Sequence, residues 1–161
     1  MTSSYVQSNG HDILPASPEH IDIIQSMVQA AYSKYIPRMN KPPAPMLADY
    51  KEILKTHDVY VLQATENKIV GSIILSTDKD AGAVQVNSLV VDPTAQGRGY
   101  GRILMSHAEQ VARQSGLMAL VLYTNVKMYE NLQLYPKLGF VETDRRTEDG
   151  YQRVYFRKDL V

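Results

Sequence analysis

The chain has 161 residues, enough for one domain with a substantial core, and its 17 Lys plus Arg balance 17 Asp plus Glu to a formal net charge of zero. That balance argues against nucleic-acid binding by bulk charge, which needs a basic surplus. There is no cysteine, which excludes disulfides, thiolate metal sites and a cysteine nucleophile.

Hydrophobic residues at 44% and charged residues at 21% make a globular composition. No stretch approaches the ~18 consecutive apolar residues of a membrane span. The opening MTSSYVQSNGHDILP has neither a basic start nor an apolar run, so a soluble, cytoplasmic protein is expected. Tyrosine supplies 11 of the aromatic residues, beside two Phe and no Trp.

Residues 1–10 are polar and read as a flexible terminus. His11 to Pro15 suits a short strand. Ser17 and Pro18 form a helix start, and Ile21, Ile24, Val28 and Ala31 follow at helical spacing until Pro37. Lys41-Pro42-Pro43-Ala44-Pro45 is too proline-rich for regular helix, and Met46 to Thr56 reads as a second, short one. The period then changes to that of strands. Val59 to Ala64 and Ile69 to Ser76 flank Asn67-Lys68 as a hairpin. Val84 to Val91 is a third strand. Val84 and Val86 share one parity while Leu89 and Val91 share the other. Either a β-bulge lies near Asn87-Ser88 or the strand is buried on both faces.

Gly99 to Ser115 carries Leu104, Ala108, Val111 and Ala112 on one stripe, with Gly116 as C-cap. Leu117 to Tyr123 is a buried strand, Val126 to Leu138 a helix, and Gly139-Phe140-Val141 opens another strand. Glu148-Asp149-Gly150 is a turn signal before the alternating final strand Tyr151 to Arg157. The order describes one α/β domain, helices first, then a mixed sheet with two later helices. An exposed final strand would allow pairing with a second copy, a possible homodimer.

The chemistry-bearing segment is Gln96-Gly97-Arg98-Gly99-Tyr100-Gly101-Arg102, between a strand and a helix. Glycines at alternate positions let the backbone turn tightly and approach a ligand. Unpaired N–H groups and the helix dipole favour an anion there, and Arg98 and Arg102 add positive charge. The competing reading is a glycine turn that only starts a helix. The P-loop pattern is absent, and Gly97, Gly99 and Gly101 do not have the G-x-G-x-x-G spacing of a dinucleotide fold.

The spacing Q-x-x-G-x-G resembles the acetyl-coenzyme A (acetyl-CoA) signature of the GNAT superfamily of N-acetyltransferases. Leu134-Tyr135-Pro136-Lys137-Leu138-Gly139-Phe140 is similar to that family's Y-x-K-L-G-F segment, and the likeness extends from about His11 to Val161. It implies a single GNAT-like domain over residues 11–161. This would have a central mixed, mostly antiparallel sheet with a splayed strand pair, flanked by about four helices. It also implies roles. Backbone groups of Leu89, Val90 and Val91 would pair with the pantetheine arm, and N–H groups from Gln96 through Gly97, Arg98, Gly99, Tyr100, Gly101 and Arg102 would hold the pyrophosphate. Asn131 and Tyr135, four positions apart on one helix face, would lie near the thioester.

Tyr135 is the candidate general acid. A phenol of pKa near 10 stays protonated at neutral pH and can donate to a departing thiolate whose thiol has a pKa near 8.5. A backbone N–H near Leu89 would stabilise the oxyanion. Packing of the helix onto the sheet is the competing role for Tyr135. Some relatives place a glutamate where this chain has Gln85, and the slot often filled by asparagine is Met128. Water-mediated deprotonation, or capture of a neutral amine, then replaces a side-chain base. Acetyl-CoA is the expected cosubstrate. No metal is expected, because the four histidines lack metal-ligand spacing.

The acceptor, a primary amine of a small molecule or peptide, would meet Tyr32, Tyr35 and Arg38, with Tyr50, Tyr123 and Tyr151 as further candidates. Equally open is a structural lid braced by prolines. At the level of function, a non-catalytic acyl-CoA-binding module and an interaction protein are the alternatives to an enzyme.

Overall fold

A computed structural model describes Gln7–Ser8 and His11–Leu160; the remainder of the terminus expected to be flexible lies outside the described residues. In chain order the elements are β1 (Gln7–Ser8), β2 (His11–Pro15), α1 (Ile21–Tyr32), α2 (Ile36–Met39), α3 (Tyr50–Thr56), β3 (Asp58–Gln63), β4 (Ile69–Asp78) and β5 (Ala83–Val91). They continue as α4 (Tyr100–Gln114), β6 (Ala119–Asn125), α5 (Tyr129–Lys137), β7 (Val141–Glu148) and β8 (Tyr151–Asp159). The chain divides into two compact units, Met1–Leu75 with Ser88–His107, and Ser76–Asn87 with Ala108–Val161. Among the described residues no helix is long and apolar enough to cross a membrane.

In the first unit β2, β3 and β4 pair antiparallel, with Ile13 opposite Leu62 and Tyr60 opposite Ile73. Side chains alternate between the two faces of this sheet. One face carries Val59, Val61 and Ile74, which pack with Ile21, Ile24, Met27 and Val28 of α1, and with Tyr50 and Val90. The other face takes the start of α4. There Tyr60 meets His107 edge-on at 4.3 Å. A Cβ on Gly71 would lie 3.0 Å from a Leu104 methyl and 3.0 Å from the Val90 carbonyl oxygen. Each fully buried aliphatic side chain in these layers contributes about 1.5–3 kcal/mol.

In the second unit β5 runs parallel to β6, with Val84 opposite Leu120 and Gln85 opposite Val121. β6 pairs antiparallel with β8, and β8 with β7. Leu120, Leu122, Val154 and Phe156 are buried on one face of this sheet. Tyr123, Arg153, Tyr155 and Arg157 occupy the other. The final strand is therefore flanked on both sides. The expected exposed last strand is corrected: the strand at the end of the sheet is β7.

Other expectations shift locally. Met46 to Thr56 is not one helix: a 3₁₀ turn ends at Leu47, Ala48 is extended, and Asp49 caps α3 by accepting the Glu52 N–H at 3.2 Å. Val126 to Leu138 begins its helix only at Tyr129, because Asn125 and Met128 hold a turn before it. Pro37 does not stop α1, which ends at Tyr32; it sits in the first turn of α2, where its missing donor has no helical partner to lose. In β5, Val84, Val86 and Val90 are buried, while Leu89 and Val91 are half-buried.

Candidate functional site

Asp92 follows β5 and folds the chain back. Its carboxylate accepts the Thr94 N–H at 2.9 Å and the Thr94 hydroxyl at 2.7 Å, and those two bonds hold it below the ordinary carboxylate pKa. Ala95, 5% exposed, anchors the turn. Gln96 Nε2 then donates to the Val91 carbonyl at 3.4 Å, tying the start of the glycine segment to the end of β5.

Gly97 and Gly99 both take φ of +83°, the left-handed region that glycine alone enters without strain. A Cβ built on either would meet nothing within 4 Å, so the backbone lies bare beside open space. The first bond within α4 runs from the Ile103 N–H to the Gly99 carbonyl at 3.1 Å, which leaves the preceding N–H groups without helical acceptors. Arg98 and Arg102 are exposed and have no ion-pair partner among the described residues. Such a set of donors and cations suits a diphosphate. Tyr100 differs from its neighbours. Its side chain is buried and meets His11 edge-on at 5.0 Å, so it anchors the helix and offers the cradle only its backbone.

β5 borders this cradle. A Cβ on Gly101 would stand 3.9 Å from Leu89 and 4.0 Å from Val91, while Val90 points into the core. The Tyr32 hydroxyl donates to the Leu89 carbonyl at 3.2 Å, which brings a candidate acceptor residue to the candidate pantetheine strand. Tyr32 and Tyr35 rings lie 5.9 Å apart. Tyr35 is 5% exposed, and its ring already carries Lys34 at 5.1 Å and Arg38 at 5.2 Å. Tyr50 is a core residue. Its hydroxyl donates to the Pro45 carbonyl at 2.7 Å, and burial pushes its pKa up to about 12.

Asn131 and Tyr135 belong to the second unit. Asn131 Nδ2 donates to Thr124 Oγ1 at 3.1 Å and leans on the Met128 sulfur at 3.7 Å, so the unexpected methionine fills a small polar knot under α5. The Tyr135 ring packs at 5.7 Å from Phe140 and 5.6 Å from Phe156, which fastens α5 to the strands. Tyr135 therefore has the packing role, and the residue as a whole is half-buried.

Sequence reasoning missed the polar face of β8. Tyr151, Arg153, Tyr155 and Arg157 recur at every second position, a signal of one shared strand face. Tyr123 and Tyr155 rings lie 5.4 Å apart; Arg153 covers Tyr123 at 4.4 Å, and Arg146 covers Tyr155 at 4.5 Å. The Tyr155 hydroxyl donates to Glu148, which also meets Arg153 at 3.4 Å. Those donors, Tyr155 foremost, hold the Glu148 carboxyl below its ordinary range, which makes it a weak base. Burial and the same carboxylate push the Tyr155 phenol up.

The family model for the acetyltransferase (GNAT) family matches residues 24–140, a segment with residues from both units. An IAA acetyltransferase of Azospirillum brasilense is 32% identical over 96 residues, 60% of this chain. The alignment covers 63% of that relative's length. Two solved structures share the fold. A nourseothricin acetyltransferase superposes with a TM-score of 0.73 at 17% identity, over 95% of this chain and 100% of that one. The PaiA N-acetyltransferase from Thermoplasma acidophilum, in complex with coenzyme A, gives 0.74 at 15% identity, over 92% and 98%.

Proposed function

The chain belongs to the acetyltransferase (GNAT) family, and from that premise we propose that residues 11–161 form one catalytic domain that moves an acetyl group from acetyl-CoA to a primary amine. The observation that carries this reading is the pair of left-handed glycines, Gly97 and Gly99, bare to open space at the start of a 15-residue helix. The donor supplies a thioester carbonyl ready for attack by an amine. In this reading the N–H groups from Gly97 to Arg102 bind the diphosphate, with Arg98 and Arg102 adding charge, and the backbone of Leu89 to Val91 aligns the pantetheine arm as a further strand would.

A backbone N–H near Leu89 stabilises negative charge on the carbonyl oxygen. The Tyr135 hydroxyl gives its proton to the departing sulfur, and Asn131 holds the arm beside it. Gln85 takes no proton at useful pH, and Glu148 is held ionised by its own partners, so the attacking amine loses its proton to water. Tyr32, beside Leu89, orients the acceptor.

The test is acetyl-CoA titration by calorimetry on the wild type and Gly99→Glu, whose side chain would enter the open space with a like charge. Loss of binding by tenfold or more, about 1.4 kcal/mol, is expected. Unchanged affinity would remove the cradle and the reading with it. A screen of primary amines with thiol release as the signal identifies the acceptor.

A further inference from the structure

On the polar face of the second unit, β6 and β8 floor a cavity of about 340 Å³. That volume falls within the range of small-molecule sites. Asp78, Gln85, Tyr123, Thr143, Arg146 and Arg157 reach its walls. The charges divide sharply by whether they are already matched. Arg157 donates to Asp159 at 2.9 Å and to the Ala81 carbonyl at 2.8 Å. Arg146 meets Asp144 at 2.6 Å and Glu148 at 3.9 Å. Both guanidinium groups are thus neutralised within the protein.

Asp78 is different. One carboxylate oxygen accepts the Ala81 N–H at 3.1 Å, and the group has no ion pair among the described residues. The side chains of Gln85 and Thr143 and the Tyr123 hydroxyl make no hydrogen bond among the described residues either. What the cavity has to spare is one uncompensated carboxylate, neutral hydrogen-bonding groups and an aromatic wall. An anion would find the arginines taken and Asp78 repelling it.

We propose that this cavity binds an alkylammonium group, with Asp78 as its counter-ion and the Gln85 carboxamide oxygen as a second acceptor. The inference rests on the acetyltransferase reading for its meaning as an acceptor subsite. A carboxylate partner favours the protonated form of a bound amine, and a protonated amine has no lone pair for attack. The acceptor therefore carries two amines, one held as the cation and another that reacts.

The probe is 1,4-diaminobutane, titrated by calorimetry into the full chain, with butanoate as the anionic control. Diamine binding that weakens about fivefold in Asp78→Asn is expected, the scale of one partly exposed ion pair. Asparagine keeps an oxygen for the Ala81 N–H and removes only the charge. Gln85→Leu should weaken the diamine as well, and butanoate should not bind. Equal diamine affinity in wild type and Asp78→Asn, no diamine binding, or tighter binding of butanoate each overturns the proposal. Acetyl-CoA titrated into the same proteins separates the two readings. Donor binding without diamine binding removes the cavity's role alone. Diamine binding dependent on Asp78, without donor binding, leaves the cation site standing and removes the transferase reading.

Discussion

The Tyr32 hydroxyl and the Leu89 carbonyl meet at 3.2 Å, across 57 positions of sequence. That bond fastens the C-terminal end of α1 to the strand bordering the glycine cradle. Tyr32→Phe keeps the ring and removes the donor. It should cost about 1 kcal/mol of stability, read as a shift in the denaturant midpoint, and should weaken acceptor use more than donor binding. If the apparent affinity for the acceptor in thiol-release assays is unaltered, Tyr32 only braces the helix.

Tyr135 has a packing role and a proposed chemical one, and two substitutions separate them. Tyr135→Phe preserves the ring contacts with Phe140 and Phe156 and should leave thermal stability nearly unchanged. Its turnover should fall by about a hundredfold, the lower end for loss of a general acid. Tyr135→Ala should lose about 2 kcal/mol as well, less than a fully buried aromatic would. Full turnover in the phenylalanine variant would leave the residue as packing alone.

His107 sets a pH dependence. It is 5% exposed, neither ring nitrogen has a hydrogen-bond partner among the described residues, and burial depresses its pKa below 6.5. The unfolded chain binds a proton at this residue before the folded chain does. The contribution is thus fully present above about pH 6.5 and is lost as pH falls toward the depressed value. Melting temperature should drop between pH 7.5 and 5.5 in the wild type, and by less in His107→Phe, which keeps an aromatic ring beside Tyr60. Equal drops in both proteins would assign the effect to other groups.

The left-handed turn at Gly97 and Gly99 was legible because glycine enters that backbone region without strain, so the residue type itself reports the conformation. The helix stripe after it was legible for the same local reason. The cavity beside Asp78 was not. It depends on register: Tyr123 stands opposite Tyr155, and Val121 opposite Gln85 on one side and Arg157 on the other. No local period announces which strands will be neighbours. The expected exposed final strand failed on the same ground, since β8 lies between β6 and β7. Met46 to Thr56 misled for a local reason, because apolar spacing does not reveal that Asp49 would serve as a cap.

The crowding at Gly71 reaches further than its own strand. With a hydrogen where other residues carry carbon, this position lets Leu104 ride close enough to set how deep α4 beds down on β4. The elevation of the glycine-led end, four residues upstream at Tyr100, is then governed by the smallest side group in the sheet beneath it. Even one added methyl would act as a shim, raising the rod and detuning the cradle at its tip.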